Sequence, residues 1–147
     1  MALIEQLKEE QKLAMKAKDK PRLGTIRLAL AAVKQREVDE QITLSDDDIL
    51  AVLVKMVKQR RDSIAQYESA GRQDLAEVEQ TEITVLEDFM PQPLSEQEVA
   101  ELVNQAIESV QPAGMQDMGK VMAALKPKIQ GRADMGKVSQ LIKSQLN

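Results

Sequence analysis

The chain has 147 residues and a formal net charge of −4, and it contains no cysteine and no histidine. This length allows one domain with a solid core, or two small domains that share an interface. The missing residue types exclude disulfides, thiol nucleophiles and metal sites built on thiolate or imidazole ligands, so we predict no metal site and no cofactor. An apolar leader and a run of roughly 20 apolar residues are also lacking, which predicts a cytoplasmic protein that does not enter a membrane.

Apolar residues recur at helical spacing in four stretches before residue 93. A turn at residues 19–21 separates the first two stretches, Ser45 predicts the cap of the third helix, and Gly71 predicts its end. The predicted buried stripes are Leu3, Leu7 and Ala14; Leu23, Ile26, Leu30 and Val33; Ile49, Leu53, Met56, Val57, Ile64 and Tyr67; and Leu75, Val78, Val85 and Phe89.

Pro91 and Pro93 predict a domain boundary, because two prolines in three residues break a helix and favour an extended link. Ser95 and Glu98 then have the spacing of a capping box, and they open a helix with a buried stripe at Val99, Leu102, Val103, Ala106 and Ile107. No stretch alternates at the period of a strand. The sequence therefore predicts an all-α protein, with an antiparallel four-helix bundle over residues 1–92 and a three-helix domain over residues 93–147.

The last third of the chain repeats one phrase, Asp-Met-Gly-Lys-Val, at residues 117–121 and 134–138. We predict that each repeat opens a short helix and that Asp117 and Asp134 each cap one by accepting a hydrogen bond from the first turn. Gly119 and Gly136 would leave the helix starts uncovered, either for close packing of a helix or for approach of a phosphate. Both repeats also fit the first positions of a phosphate-binding loop, but a valine follows each lysine and no strand precedes, so we treat that match as accidental.

Charge is unevenly distributed along the chain. Residues 114–147 hold six basic and two acidic residues, a net of +4, while residues 1–113 have a net charge of −8. Such a basic end could be a set of solvated helix faces, or it could dock on RNA or on an acidic protein. We place two of the basic candidates at the two helix starts and three in the connection between them. The candidates for RNA binding are Lys120, Lys137, Lys126, Lys128 and Arg132.

A second basic cluster, Lys55, Lys58, Arg60 and Arg61, lies on the predicted third helix. Consecutive residues point about 100° apart, so Arg60 and Arg61 cannot share a narrow stripe, and a solvated face with local ion pairs is the simpler interpretation. Glu82 falls on the apolar side of the fourth helix, where we expect it to pair with an arginine rather than to act as an acid or base.

Aromatic residues are nearly absent, with one tyrosine and one phenylalanine, both on predicted core stripes. Proteins that read single-stranded RNA stack bases on aromatic side chains. An RNA partner would therefore be recognised by the shape and backbone of a folded helix.

Five segments carry a resemblance to a known family. They are residues 58–64 (KQRRDSI), 70–75 (AGRQDL), Pro91 with Leu94 and Ser95, 119–127 (GKVMAALKP) and 131–134 (GRAD). In this order they resemble the YqeY-like proteins, which are stand-alone relatives of the tail domain of GatB, the B subunit of tRNA-dependent amidotransferases. The resemblance runs over essentially the whole chain and implies the same two helical domains.

The resemblance also implies a function. In the amidotransferase the tail holds the tRNA while other parts perform the chemistry, so Lys120, Lys126, Lys128 and Arg132 become candidates for phosphate contacts. We expect an accessory module that binds tRNA or another structured RNA and has no catalytic centre of its own. The alternatives are a protein–protein adaptor, and a subunit that completes a glutamine-dependent tRNA amidotransferase, a carbon–nitrogen ligase, in trans. An enzyme label would rest on the resemblance alone.

Overall fold

A computed structural model describes residues 2–146 of the chain. Within these residues the backbone forms α-helices and one short 3-10 helix but no strand, which confirms the all-α class. The helices are α1 Leu3–Lys16, α2 Lys20–Glu40, α3 Asp46–Ser69, α4 Gln73–Glu87, α5 Glu96–Val110, the 3-10 helix Met115–Asp117, α6 Met118–Ile129 and α7 Met135–Leu146. None of the helices in the described part is long and apolar enough to cross a membrane.

The chain divides into two compact units, Met1–Met90 and Pro91–Asn147, and each has its own apolar core. In the first unit α1 to α4 contribute to one core, with Leu7, Ile26 and Leu53 fully buried. In the second unit α5, α6 and α7 enclose Val103, Leu125, Ile142 and their neighbours. Each core gathers the apolar stripes of its helices, because a short helix is stable only when its apolar side is covered.

Local signals set most helix ends as predicted. Asp19 accepts a hydrogen bond from the N–H of Arg22, and Pro21 occupies the first turn of α2. Ser45 and Ser95 each form a reciprocal capping box, with Asp48 and Glu98 respectively. These side chains satisfy N–H groups that the first turn of a helix leaves without partners.

Three predicted core residues, Tyr67, Leu75 and Val78, lie outside the core, and Val78 is the most exposed of them. Val78 and Val85 are seven residues apart and so lie on the same side of α4, but Val85 is buried and Val78 is 57% exposed. The buried residues of α3 end at Val57, while most of those of α4 lie at Ile83 and beyond. The first half of α4 and the part of α3 after Ile64 thus extend past the common core, and the stripe is covered only where the core reaches it.

Candidate nucleic-acid interface

The five predicted RNA-binding residues all belong to the second unit, around α6 and α7. Lys120 is in the first turn of α6 and Lys137 is in the first turn of α7. Lys126 and Lys128 lie in the last turn of α6, so placing them in the connection between the helices was wrong. The helix continues through Pro127 because Leu125 and Ile129 are both buried, which holds the last turn onto the core. Of the five residues, only Arg132 lies in the connection.

The lysines of α6 point in different directions. At 100° per residue, Lys120 and Lys128 are about 80° apart around the axis, whereas Lys126 is about 160° from Lys128. All three side chains are exposed. A ligand lying along one side of α6 can therefore contact Lys120 and Lys128 together, about 12 Å apart along the axis, but not Lys126.

Arg132 performs a structural task. Its Nε donates a hydrogen bond to the carbonyl oxygen of Gln92 at 3.0 Å, and its own carbonyl oxygen accepts one from the N–H of Leu94 at 2.7 Å. Two bonds thus hold the first residues of the second unit against the turn between α6 and α7. Gly131 precedes Arg132 with φ +76°, a left-handed conformation that suits glycine.

The two repeats are not equivalent in structure. Asp134 caps α7, because its Oδ1 accepts a hydrogen bond from the N–H of Gly136 at 2.8 Å. Asp117 does not cap α6, and that prediction was wrong: its Oδ2 accepts instead from the N–H of Ala113 at 2.8 Å, on the upstream side. A capping residue takes an extended backbone, whereas Asp117 closes the 3-10 helix at φ −96°, ψ 6°, which turns its side chain away.

This difference changes the surroundings of the two equivalent lysines. Lys120 forms an ion pair with Asp117, Nζ to Oδ1 at 3.6 Å, and keeps a side chain 74% exposed. The hydrogen bond from Ala113, followed by the charge of Lys120, holds the pKa of the Asp117 carboxyl below its ordinary value. Within residues 2–146, no ion pair or hydrogen bond engages the side chains of Lys126, Lys128 or Lys137.

The glycines of the repeats also differ. A Cβ at Gly119 would meet no atom within 4 Å, so the start of α6 is open to a neighbouring molecule. A Cβ at Gly136 would lie 3.2 Å from the Oδ1 of Asp134, the oxygen that caps α7. The start of α7 is therefore already occupied by its own cap.

The second unit is not basic overall. Residues 91–147 contain six basic and six acidic residues, and the four glutamates of α5 have no basic residue between them. The basic charge is concentrated on α6, α7 and the turn that joins them. The candidate interface is thus one side of a neutral unit.

The second basic cluster is split by the fold. The Nε of Arg60 lies 2.9 Å from the Oε2 of Glu82, and its Nη1 donates to the carbonyl oxygen of Met56, which confirms the predicted ion pair. The Arg60 side chain is only 14% exposed and is not available to a ligand. Arg61 points to solvent, as do Lys55 and Lys58. In the described part of the chain no cluster of acidic residues could hold a metal ion.

Two all-helical units, the second with exposed lysines on one side, define a helical protein with a candidate anion-binding surface. The sequence matches the YqeY-like protein family over residues 4–146, so the chain belongs to that family. Both the fold class and the family thus agree with the resemblance seen in the sequence.

Several curated relatives come from fungi. The chain is 31% identical over 133 residues to altered inheritance of mitochondria protein 41 of Pyrenophora tritici-repentis, covering 89% of this chain and 73% of the relative. It is 41% identical over 87 residues to the Kluyveromyces lactis protein of the same name, covering 58% of this chain and 47% of the relative. It is 37% identical over 89 residues to the Clavispora lusitaniae protein of the same name, covering 60% of this chain and 52% of the relative. All three relatives are described as mitochondrial, and the matched segment spans about half the length of the two yeast proteins.

Proposed function

We propose that this chain is an accessory module that binds tRNA or another structured RNA through the side of α6 that carries Lys120 and Lys128, together with Lys137 on α7. The observation that carries the proposal is the pair on α6: Lys120 in the first turn, beside the open position at Gly119, and Lys128 in the last turn are both exposed on one side of the helix. Phosphate contacts supply most of the affinity in non-specific nucleic-acid binding, and lysine contacts phosphate as a point charge.

Membership of the YqeY-like family supports the proposal through the resemblance to the GatB tail, which holds tRNA. The aromatic residues favour a structured RNA, because Phe89 is buried and Tyr67 is half-buried, so neither presents a flat ring to a base. Lys126 and Arg132 have lesser parts in this proposal, since Lys126 lies on another side of α6 and Arg132 holds the linker.

The proposal includes an arrangement and a location. We infer that α1 to α4 form an antiparallel bundle in the first unit, and that α5 to α7 form a three-helix domain in the second. We also propose that the protein works in the cytoplasm, although its fungal relatives are described as mitochondrial. Imaging of a tagged chain in its own cell would test the location directly.

Binding without chemistry is the role that we propose for the chain. With no cysteine and no histidine, it lacks a thiol nucleophile and a base of neutral pKa. Incubated alone with glutamine, ATP and mischarged tRNA, the protein should release no ammonia and form no amide. Amide formation that appears only when amidotransferase subunits are added would instead support the subunit in trans.

The direct test is equilibrium binding of a labelled tRNA transcript to the wild-type protein and to paired variants. Lys120→Ala with Lys128→Ala should weaken binding about tenfold or more, because two phosphate contacts are lost. Lys55→Ala with Lys58→Ala is the matched control, with the same charge change on an exposed face of α3, and should have little effect. If no RNA binds at low salt, the proposal is wrong and the protein–protein adaptor becomes the better candidate.

A further inference from the structure

The outward side of α2 carries a line of exposed residues that contains no carboxylate. Positions that are alternately four and three residues apart fall on one line along a helix, because seven residues make about two turns. Six residues of α2 occupy such a line, are all exposed and include no acidic residue. We call this line the α2 seam, and it consists of Lys20, Gly24, Arg27, Ala31, Lys34 and Val38.

The cations of the seam are free of partners. Lys20, Arg27 and Lys34 recur every seven residues, about 10 Å apart along the axis. Within the described residues no ion pair or hydrogen bond engages these three side chains. By contrast, Arg22 and Arg36 on the same helix are paired with carboxylates. The row of free cations belongs to an otherwise acidic segment, since residues 1–90 hold 14 basic and 18 acidic residues.

Small and apolar residues alternate with these cations. A Cβ at Gly24 would meet no atom within 4 Å, and Ala31 lies seven residues, or about two turns, further along the helix. Because both side chains are small or absent, the backbone of another helix can approach α2 closely here. Val38 is 59% exposed and Leu28, beside the seam, is 48% exposed. Aliphatic groups gain nothing from contact with a charged phosphate backbone. They can instead pack against the apolar residues of a helix that lies along the seam.

We propose that the α2 seam docks an acidic amphipathic helix of another protein. Carboxylates every seven residues on that helix would face Lys20, Arg27 and Lys34, and its aliphatic residues would pack over Gly24, Ala31 and Val38. Charge complementarity selects an acidic partner, and the four-three spacing selects a helical one. The surface lies in the first unit and does not depend on RNA binding by the second.

The test uses the full chain and a synthetic three-heptad peptide, with glutamate at every first and leucine at every fourth position of the heptad. Binding is measured by fluorescence anisotropy at low salt. The variant K20E/R27E/K34E should bind this peptide at least about tenfold more weakly, because three attractive pairs become repulsive. A peptide with lysine in place of each glutamate should bind that variant and not the wild type.

The matched control is K8E/K12E/K16E, which makes the same charge change on exposed positions of α1 and should bind like the wild type. The proposal is overturned if the acidic peptide does not bind the wild type, or if the α1 variant loses as much affinity as the seam variant. It is also overturned in favour of a second copy if the wild type self-associates in sedimentation and seam reversal abolishes that. Loss of tRNA binding in the seam variant without loss of peptide binding would assign the seam to RNA instead. If circular dichroism shows that the triple variant is unfolded, Arg27→Glu alone replaces it, and its failure to weaken peptide binding counts against the proposal.

Discussion

Arg60 and Glu82 join α3 to α4 by an ion pair that is largely shielded from water, with side chains 14% and 23% exposed. Replacing Glu82 with glutamine removes the negative charge beside the guanidinium and leaves an amide oxygen, which is a weaker acceptor than a carboxylate. We predict that Glu82→Gln lowers the free energy of unfolding by about 1–2 kcal/mol, less than for a fully buried pair because water still reaches both groups. Urea denaturation followed by circular dichroism would measure it.

The control for this prediction is Asp74→Asn, which breaks the Arg72–Asp74 pair. Those side chains are 55% and 65% exposed, and water screens an exposed pair so that it contributes little to stability. If Asp74→Asn costs as much as Glu82→Gln, burial is not what makes the Arg60 pair important.

Glu98 gives the second unit a dependence on pH. The pKa of the Glu98 carboxyl is held below its ordinary value. The largest cause is the hydrogen bond from the N–H of Ser95, followed by the Ser95 hydroxyl and then the charge of Arg132. A carboxylate whose pKa is lower in the folded than in the unfolded state stabilises the fold at pH values above its unfolded-state pKa. This stabilisation is lost as the pH falls through the folded-state pKa. We therefore predict that Glu98→Gln flattens the fall in stability below about pH 4.3, the ordinary pKa of glutamate.

The measurement is the urea midpoint between pH 7 and pH 3 for the wild type and the variant. Curves for Glu98→Gln and the wild type that stay parallel over this range would contradict the prediction.

At the scale of single residues, caps could be predicted where a side chain reaches only its own first turn. Ser45 and Ser95 did what their spacing indicates, because the capping box depends on four consecutive residues. Asp117 did not, although its sequence repeat is identical to that of Asp134. Its backbone conformation is set by the preceding 3-10 helix, which the repeat does not contain.

At the scale of elements, alanine substitution should change stability in opposite directions at two glycines, one inside α2 and one in the turn between α6 and α7. Gly24 has helical geometry within α2 and open space around it, so Gly24→Ala should stabilise the protein by about 0.5–1 kcal/mol. Gly131 has a φ of +76°, so Gly131→Ala should destabilise it by about 1–2 kcal/mol. Thermal and urea unfolding of both variants would check the signs, and a stabilising Gly131→Ala would mean that the turn adopts another conformation in solution.

The ends of the helices, and the extent to which the core covers each helix, were harder to predict than helical character. Val78 has the right spacing for the core but lies where α4 extends beyond it, and spacing alone does not show where a core ends. Lys126 and Lys128 were predicted to lie in the connection between α6 and α7, yet two buried neighbours keep the last turn of α6 helical. The α2 seam could have been found in the sequence, since its four-three spacing of basic and small residues is visible there.

For the molecule as a whole, Arg132 ties the link between the two units to the second one. Arg132→Ala removes the hydrogen bond to Gln92, so we predict faster cleavage by a protease of low specificity near residues 89–93. Lys128→Ala, which also removes a positive charge from this region, should leave the rate unchanged. Equal rates for the two variants, or a resistant product that contains residues 89–93 uncut, would argue that the link is held in another way.

The basic residues of the binding surface could be predicted from the sequence only in part. The basic end was visible as a count, but a count cannot show which lysines point the same way. Folding places Lys120 and Lys128 on one side of α6, turns Lys126 away and engages Arg132 with the linker. Our proposal therefore assigns the main phosphate contacts to Lys120 and Lys128 on α6 and to Lys137 on α7.

The dependence of RNA affinity on salt tests the proposed function most directly. We predict that the logarithm of the tRNA binding constant falls linearly with the logarithm of salt concentration for the wild type. In the Lys120→Ala, Lys128→Ala double variant the slope should become shallower by about 1.4–1.8, which corresponds to two lost phosphate contacts at 0.7–0.9 each. An unchanged slope in that variant, or an equal change in Lys126→Ala with Lys55→Ala, would contradict the claim that the side of α6 with Lys120 and Lys128 holds the RNA.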